Sequence, residues 1–255
     1  MAREQHEATL PSSAGCLHFN GAGGNVAAGK YNDGQPHRRQ ELADRVATAM
    51  GEAWADAKAN RQPAVAADVG WFIEPVSLPL SPRLEGEEVE GQQLAIIADE
   101  SADEWERLRT ARDVVYARRV RAGRSIDLTC LRIGPARLIS MPGELFVEYQ
   151  LEAQRLAAEN GAVSMMAAYG DYGPGYIGTA ASYDYGNPPR CRRHLGCFLL
   201  QAPAIPLLLT GPLCYETGVP SRVSAGAEPV LLAALEALLR RARLGGSATV
   251  APHHI

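Results

Sequence analysis

The chain has 255 residues, a net charge of −4, and 46% apolar and 21% charged residues. That length holds one large domain or two small ones, and the composition supplies enough apolar material for a packed core. No basic stripe runs through it, which argues against nucleic acid as a partner. Five cysteines without scaffold spacing exclude a disulfide framework. Of the 25 basic residues only Lys30 and Lys58 are lysines, a skew that reflects a GC-rich genome rather than a function.

Residues 1–18 are polar and read as disordered or mis-assigned sequence, with no secretory signal. Residues 20–34 form a glycine-rich loop. A helix is predicted from about Arg38 to Lys58, with Leu42, Val46, Met50, Ala53 and Ala57 on one face. Residues 64–80 hold one or two strands ending at Pro79, and 84–91 read as an acidic exposed loop. Ser101 and Glu104 suggest a capping box for a second helix reaching Arg121. Its apolar stripe would be Trp105, Leu108, Ala111 and Val115.

Residues 125–140 read as a β-hairpin turning at Gly134-Pro135, with Cys130 as a buried thiol. Glu144 is expected to open a third helix whose inner face carries Phe146, Tyr149, Ala153 and Leu156. Residues 162–168 read as a buried strand. A last helix starts near Pro229 and presents Leu231, Leu235, Leu238 and Ala242, with Gly245-Gly246 after it. Residues 245–255 read as a disordered tail. Residues 195–214 are apolar, but Pro203, Pro206, Pro212 and Gln201 interrupt them, so no membrane span is expected. The mixture of hairpins and helices predicts an α/β or α+β fold, mixed sheets with flanking helices.

Several motifs admit a plain and a functional reading. Gly24 to Lys30 approaches a phosphate-binding loop, but Tyr31 stands where Ser or Thr would hold magnesium, and a turn follows. Cys191, His194 and Cys197, with Cys214, resemble a zinc knuckle in spacing that fits no standard pattern. His6, His18 and His37 share no ligand spacing, and His253-His254 form a terminal tail. Glu144 in a helix's first turn would suit the helix dipole. Tyr176, thirty-two positions later in the run Tyr169 to Thr179, would be an ordinary packed aromatic. Both are also oxygen donors at the ends of secondary elements, where sites are commonly built.

Three blocks then resemble the neutral/alkaline ceramidase family of zinc amidohydrolases, in its bacterial ceramidase-like branch. They are Asn20 to Gly34, Leu128 to Leu156 around Met141-Pro142-Gly143-Glu144, and Ala167 to Asp184 resumed at Tyr215 to Val223. The resemblance implies a partial ceramidase-like domain over residues 19–244. It implies zinc as cofactor and hydrolysis of an N-acyl amide, ceramide-like and so tied to sphingolipid metabolism. Glu144 and Tyr176 match the family's glutamate and tyrosine metal ligands, which help the ion polarise an amide carbonyl and activate water. Gly24, Asn25 and Ala27 match the loop at the reacting centre, with Ala27 where ceramidases proper carry serine. Tyr215 matches a tyrosine lining the amide pocket. The family's two histidine ligands lie upstream of the glycine loop, and none of this chain's six histidines sits in their contexts. Residues 187–214 read as an inserted segment; without its 28 residues Tyr176 and Tyr215 would stand 11 apart. The expectation is therefore the C-terminal part of a catalytic domain. A non-catalytic fragment or pseudoenzyme, or a nucleotide-binding module using Lys30, are the alternatives. Family members are often secreted or membrane-associated.

Overall fold

A computed structural model describes residues 1–12, 14–27, 33–61, 63–183 and 220–243. In chain order the elements are α1 (Ala2–Glu7), α2 (His37–Ala59), β1 (Val69–Val76), α3 (Glu87–Ala98), α4 (Glu104–Arg121), β2 (Ile126–Ile133), β3 (Ala136–Pro142), β4 (Glu144–Leu145), α5 (Val147–Ala158), β5 (Val163–Gly170), β6 (Tyr176–Ile177) and α6 (Ala227–Arg241). They fall into two compact units, one of Met1–Phe19 with Ala27–Ala66, the other of Asn20–Val26 with Ala67–Ile255.

In the smaller unit α1 packs on α2, and Gln5 Nε2 donates to Asp44 Oδ1 at 2.9 Å. The stretch expected to be disordered thus carries a short helix. On α2 the predicted stripe exists but is not buried. Val46 is 52% exposed, and the one buried residue of this helix is Ala43. Leu42, Val46, Met50 and Ala53 line an open apolar groove.

The larger unit is built on the β2–β3 hairpin. Gly134, at φ 54°, supplies the left-handed residue that a tight reversal needs. β1 adds antiparallel to β2, and α5 carries the chain over so that β5 lies parallel to β3, giving the order β1-β2-β3-β5. Alternation then sorts the side chains. Phe72, Val76, Leu128, Cys130, Ile139, Met141 and Met166 point inward, against Tyr149, Ala153 and Ala157 of α5 and Leu231, Leu235 and Leu238 of α6. Each fully buried leucine contributes about 1.5–3 kcal/mol. Burial pushes the Cys130 thiol up to about 11, which makes it an inert structural cysteine, as its apolar strand suggested.

The other sheet face is apolar and half open. Trp71, Leu131, Leu138 and Met165 stand in register across it, as do Val69, Ile133, Ala136 and Val163. Trp71 is 47% exposed and Val163 64%. β5 is therefore an edge strand with one buried face, not a fully buried strand. No described helix is long and apolar enough to cross a membrane.

Three further expectations are corrected. Residues 84–91 are not an exposed loop: Leu84 is fully buried, and Glu87, Glu88 and Glu90 form the first turn of α3, where acids favour the helix dipole. The cap of α4 is Asp103, whose Oδ1 accepts the Glu106 N–H at 3.0 Å, while Ser101 donates to Asp99. The α4 stripe is also rotated. Trp105 is 76% exposed, and the buried face is Thr110, Asp113, Val114, Tyr116 and Ala117.

Asp113 explains that rotation. Its carboxylate lies 2.6 Å from Arg83 Nη1 and 2.7 Å from Arg222 Nε. Arg83 also donates to Ser221 O at 3.0 Å, and Arg222 donates from Nη1 to Gly173 O at 3.0 Å and from its backbone to Pro174 O at 2.9 Å. One buried acid thus ties α4 to residues 220–223 and to the loop before β6. Asp113→Ala leaves two guanidiniums without their counter-ion and is expected to destabilise the fold by about 3–5 kcal/mol. The midpoint of urea unfolding measures it, and an unchanged midpoint would refute the role given to this pair.

Candidate functional site

The sheet ends at Pro142, and the next residue sets the site. Gly143 has φ 64°, and a Cβ on it would stand 2.6 Å from Gly175 O, so only glycine fits. Glu144 therefore does not open α5, contrary to expectation. It lies on β4, three residues before the helix, and pairs with β6. Its N–H donates to Gly175 O at 2.9 Å, and the Phe146 N–H donates to Ile177 O at 3.0 Å. The register places Glu144 beside Tyr176 and Leu145 beside Ile177. Neighbours on parallel strands share a face at about 4.8 Å spacing. Leu145 and Ile177 are fully buried; Glu144 and Tyr176, both half-buried, alternate with them along the strands, and Tyr176 also packs against the core cluster.

Tyr169 completes the carboxylate's surroundings. It sits at φ 62°, unusual for an aromatic residue. Its N–H donates to Gly143 O at 2.7 Å, and its hydroxyl donates to Glu144 Oε1 at 3.2 Å. Burial, then the charge of Glu144 and this hydrogen bond, push the Tyr169 phenol above its ordinary range.

The glycine-rich loop is laid along the same turn. The Ala168 N–H donates to Asn20 O at 2.8 Å, and the Gly24 N–H donates to Leu145 O at 2.8 Å. The Ala22 N–H donates to Gln150 Oε1 at 3.0 Å. A Cβ at Gly24 would lie 2.6 Å from Glu144 O. Asn25 accepts the Val147 N–H on Oδ1 at 2.8 Å and donates from Nδ2 to Glu148 at 2.9 Å. Phe146, the residue before α5, offers no side-chain cap, so Asn25 does that work from a distant part of the chain.

Residues 20–25 of the first sequence block therefore meet parts of the second and third at one turn. Gly24 and Asn25 hold it through these hydrogen bonds. Ala27 is exposed and belongs to the other unit. Tyr215, Lys30, Cys191, His194, Cys197, Cys214, His253, His254 and all of 187–214 lie outside the described residues. His6 is buried on α1 and His37 is exposed on α2. Among the described residues no three His, Cys, Asp or Glu side chains are grouped to hold a metal. Sequence reasoning missed Tyr169 and Gln150. The first stood in the quoted tyrosine run, whereas nothing local marks the second.

No family model matches the chain, and no curated protein matches it. Among solved structures, the neutral ceramidase from Pseudomonas aeruginosa aligns with a TM-score of 0.49 and 14% identity, over 99% of this chain and 42% of that one. The chain thus spans less than half the length of that enzyme.

Two outcomes follow from this geometry. Glu144→Gln removes the charge facing Tyr169 but not its burial, so the phenol should ionise at lower pH than in the parent. Ultraviolet titration of phenolate reads this, and an unmoved curve would show that Glu144 does not act on Tyr169. Asn25→Ala deprives α5 of its cap and should cost about 1 kcal/mol, seen as a lower midpoint in thermal unfolding; a midpoint equal to the parent's would refute the cap.

Proposed function

We propose that this chain is part of a ceramidase-like, zinc-dependent amidohydrolase domain that cleaves a lipid-like or other N-acyl amide. The observation that carries the reading is the in-register pairing of Glu144 with Tyr176, the two positions at which the sequence resembles the family's oxygen ligands.

The donors present fit half of a zinc site. The backbone register sets the carboxylate and the phenol on neighbouring positions of adjacent strands, the spacing from which two oxygen donors would reach one ion. Zinc, when bound, polarises the amide carbonyl and lowers the pKa of water. Glu144 and Tyr176 would hold it. Tyr169, donating to Glu144 Oε1, orients the carboxylate and leaves Oε2 directed elsewhere, the role an outer hydrogen bond plays for a metal ligand. Gly24 and Asn25 act as positioning residues: they lock β4 and the start of α5, so the carboxylate does not drift from the tyrosine. Catalytic zinc sites use three protein ligands, so at least one more donor must join Glu144 and Tyr176 before this turn can act as a catalyst. A non-catalytic role for the same fold is the second reading.

Calorimetric titration of the purified chain with zinc should show weak binding that falls at least tenfold, or about 1.4 kcal/mol, in both Glu144→Ala and Tyr176→Phe. Equal affinity in all three proteins would defeat the site. With zinc added, turnover of N-acylsphingosine and of a short N-acyl amide should stay far below ordinary enzyme rates. Brisk turnover lost in Glu144→Ala would mean that this chain supplies the missing ligands itself.

A further inference from the structure

A different cavity lies against the inner end of α4, and its chemistry points to a ligand unrelated to the zinc reading. It is a small, partly open space of about 20 Å³, and its polar lining comes from Ser77, Tyr116, Arg119, Arg124 and Tyr172. That volume holds one water-sized atom. The lining brings two guanidiniums and three hydroxyl groups but no carboxylate.

Neighbouring arginines show that this imbalance is local. Arg118 and Arg121 share Glu90, and Arg83 and Arg222 share Asp113. Among the described residues neither Arg119 nor Arg124 has a carboxylate partner. Arg119 instead lies flat on Tyr172, its Cζ 3.5 Å from the ring centroid. Stacking fixes a guanidinium by its face and leaves the N–H groups along its edge free to donate. Tyr172 itself is held at φ 68°, a conformation that costs a tyrosine about 1–3 kcal/mol. The strain sets the ring under Arg119 and pre-orients the cation.

Tyr116 supplies an independent observation. It is 3% exposed, and among the described residues its hydroxyl has no hydrogen-bond partner. A buried hydroxyl left so costs about 1–3 kcal/mol. Burial pushes its pKa up to about 12, so at neutral pH it is a donor seeking an acceptor. Against that burial act the charges of Arg222 and then Arg119, while Tyr116 and Arg119 line the same cavity.

The geometry points to an oxyanion site here. One oxygen of a carboxylate or phosphate group fills the cavity and accepts from Tyr116 and Arg119, while Ser77 and Arg124 serve the remaining oxygens at its mouth. A water would satisfy the phenol but leave both guanidiniums without a counter-charge, and an anionic oxygen answers both.

The test is titration of the whole chain with sodium acetate and, separately, sodium phosphate, each against sodium chloride at matched ionic strength. Thermal shift and calorimetry read the binding. Saturable stabilisation by either salt above chloride supports the site; acetate alone identifies a carboxylate ligand, phosphate alone a phosphate group. Tyr116→Phe and Arg119→Gln should weaken binding at least tenfold, while Arg112→Gln, an exposed change on the same helix, leaves it unaltered. Should Arg119→Gln fail to fold, the exposed Arg124→Gln replaces it, with the same loss expected. A response equal to chloride, one that never saturates, or undiminished binding in the Tyr116 and arginine variants overturns the proposal.

Discussion

Close approach of backbone to backbone at three glycines governs the larger unit. At Gly24, Gly143 and Gly175 an added Cβ would meet main-chain oxygen at 2.6, 2.6 and 2.0 Å. Main-chain oxygens cannot swing aside as a side-chain tip can, so the tolerance there is nearly nil. Because the chains come this close, β4 can leave the main sheet and pair with β6, and the glycine loop can hydrogen-bond along its other edge. The juxtaposition of Glu144 with Tyr176 is a product of that packing.

The turn is held from two sides. From one, the glycine loop and Asn25 fasten β4 and α5. From the other, the buried Asp113 cluster fixes the segment at Pro220, whose carbonyl is the atom that Gly175 abuts. Tyr183 and Tyr149 extend this support inward. Tyr149 donates to Gly178 O at 2.8 Å, and the Tyr183 hydroxyl lies 3.1 Å from Ser221 Oγ. The half-exposed carboxylate at the surface therefore rests on a layer of buried polar contacts, an arrangement that keeps a turn rigid.

How much of this could be read beforehand depended on distance along the chain. The β2–β3 hairpin was legible because alternation and Gly134-Pro135 are local signals. α6 was legible because Leu231, Leu235 and Leu238 repeat at helical spacing around a core. α4 misled because periodicity cannot see a counter-ion. Asp113 and Tyr116 turn inward since Arg83 and Arg222, remote in sequence, meet them there, and Trp105 is left outside. The start of α5 misled for the same kind of reason: Glu144 looks like a first-turn acid until β6 captures it. The residues of the candidate turn were found by their wording, while its supports, Gln150, Tyr169 and the cap from Asn25, depend on contacts that no window of sequence contains.

The open apolar sheet face has a thermal consequence. Trp71, Val69, Ile133, Val163 and Met165 are already substantially hydrated in the native state, so unfolding wets less new apolar surface than the size of the sheet suggests. Apolar wetting dominates the heat-capacity change of unfolding, ordinarily about 12–15 cal/mol/K per residue. The larger unit therefore has a smaller increment than a sheet covered on both faces, and its free energy bends less with temperature. Its stability curve is broader and falls away more gently on cooling.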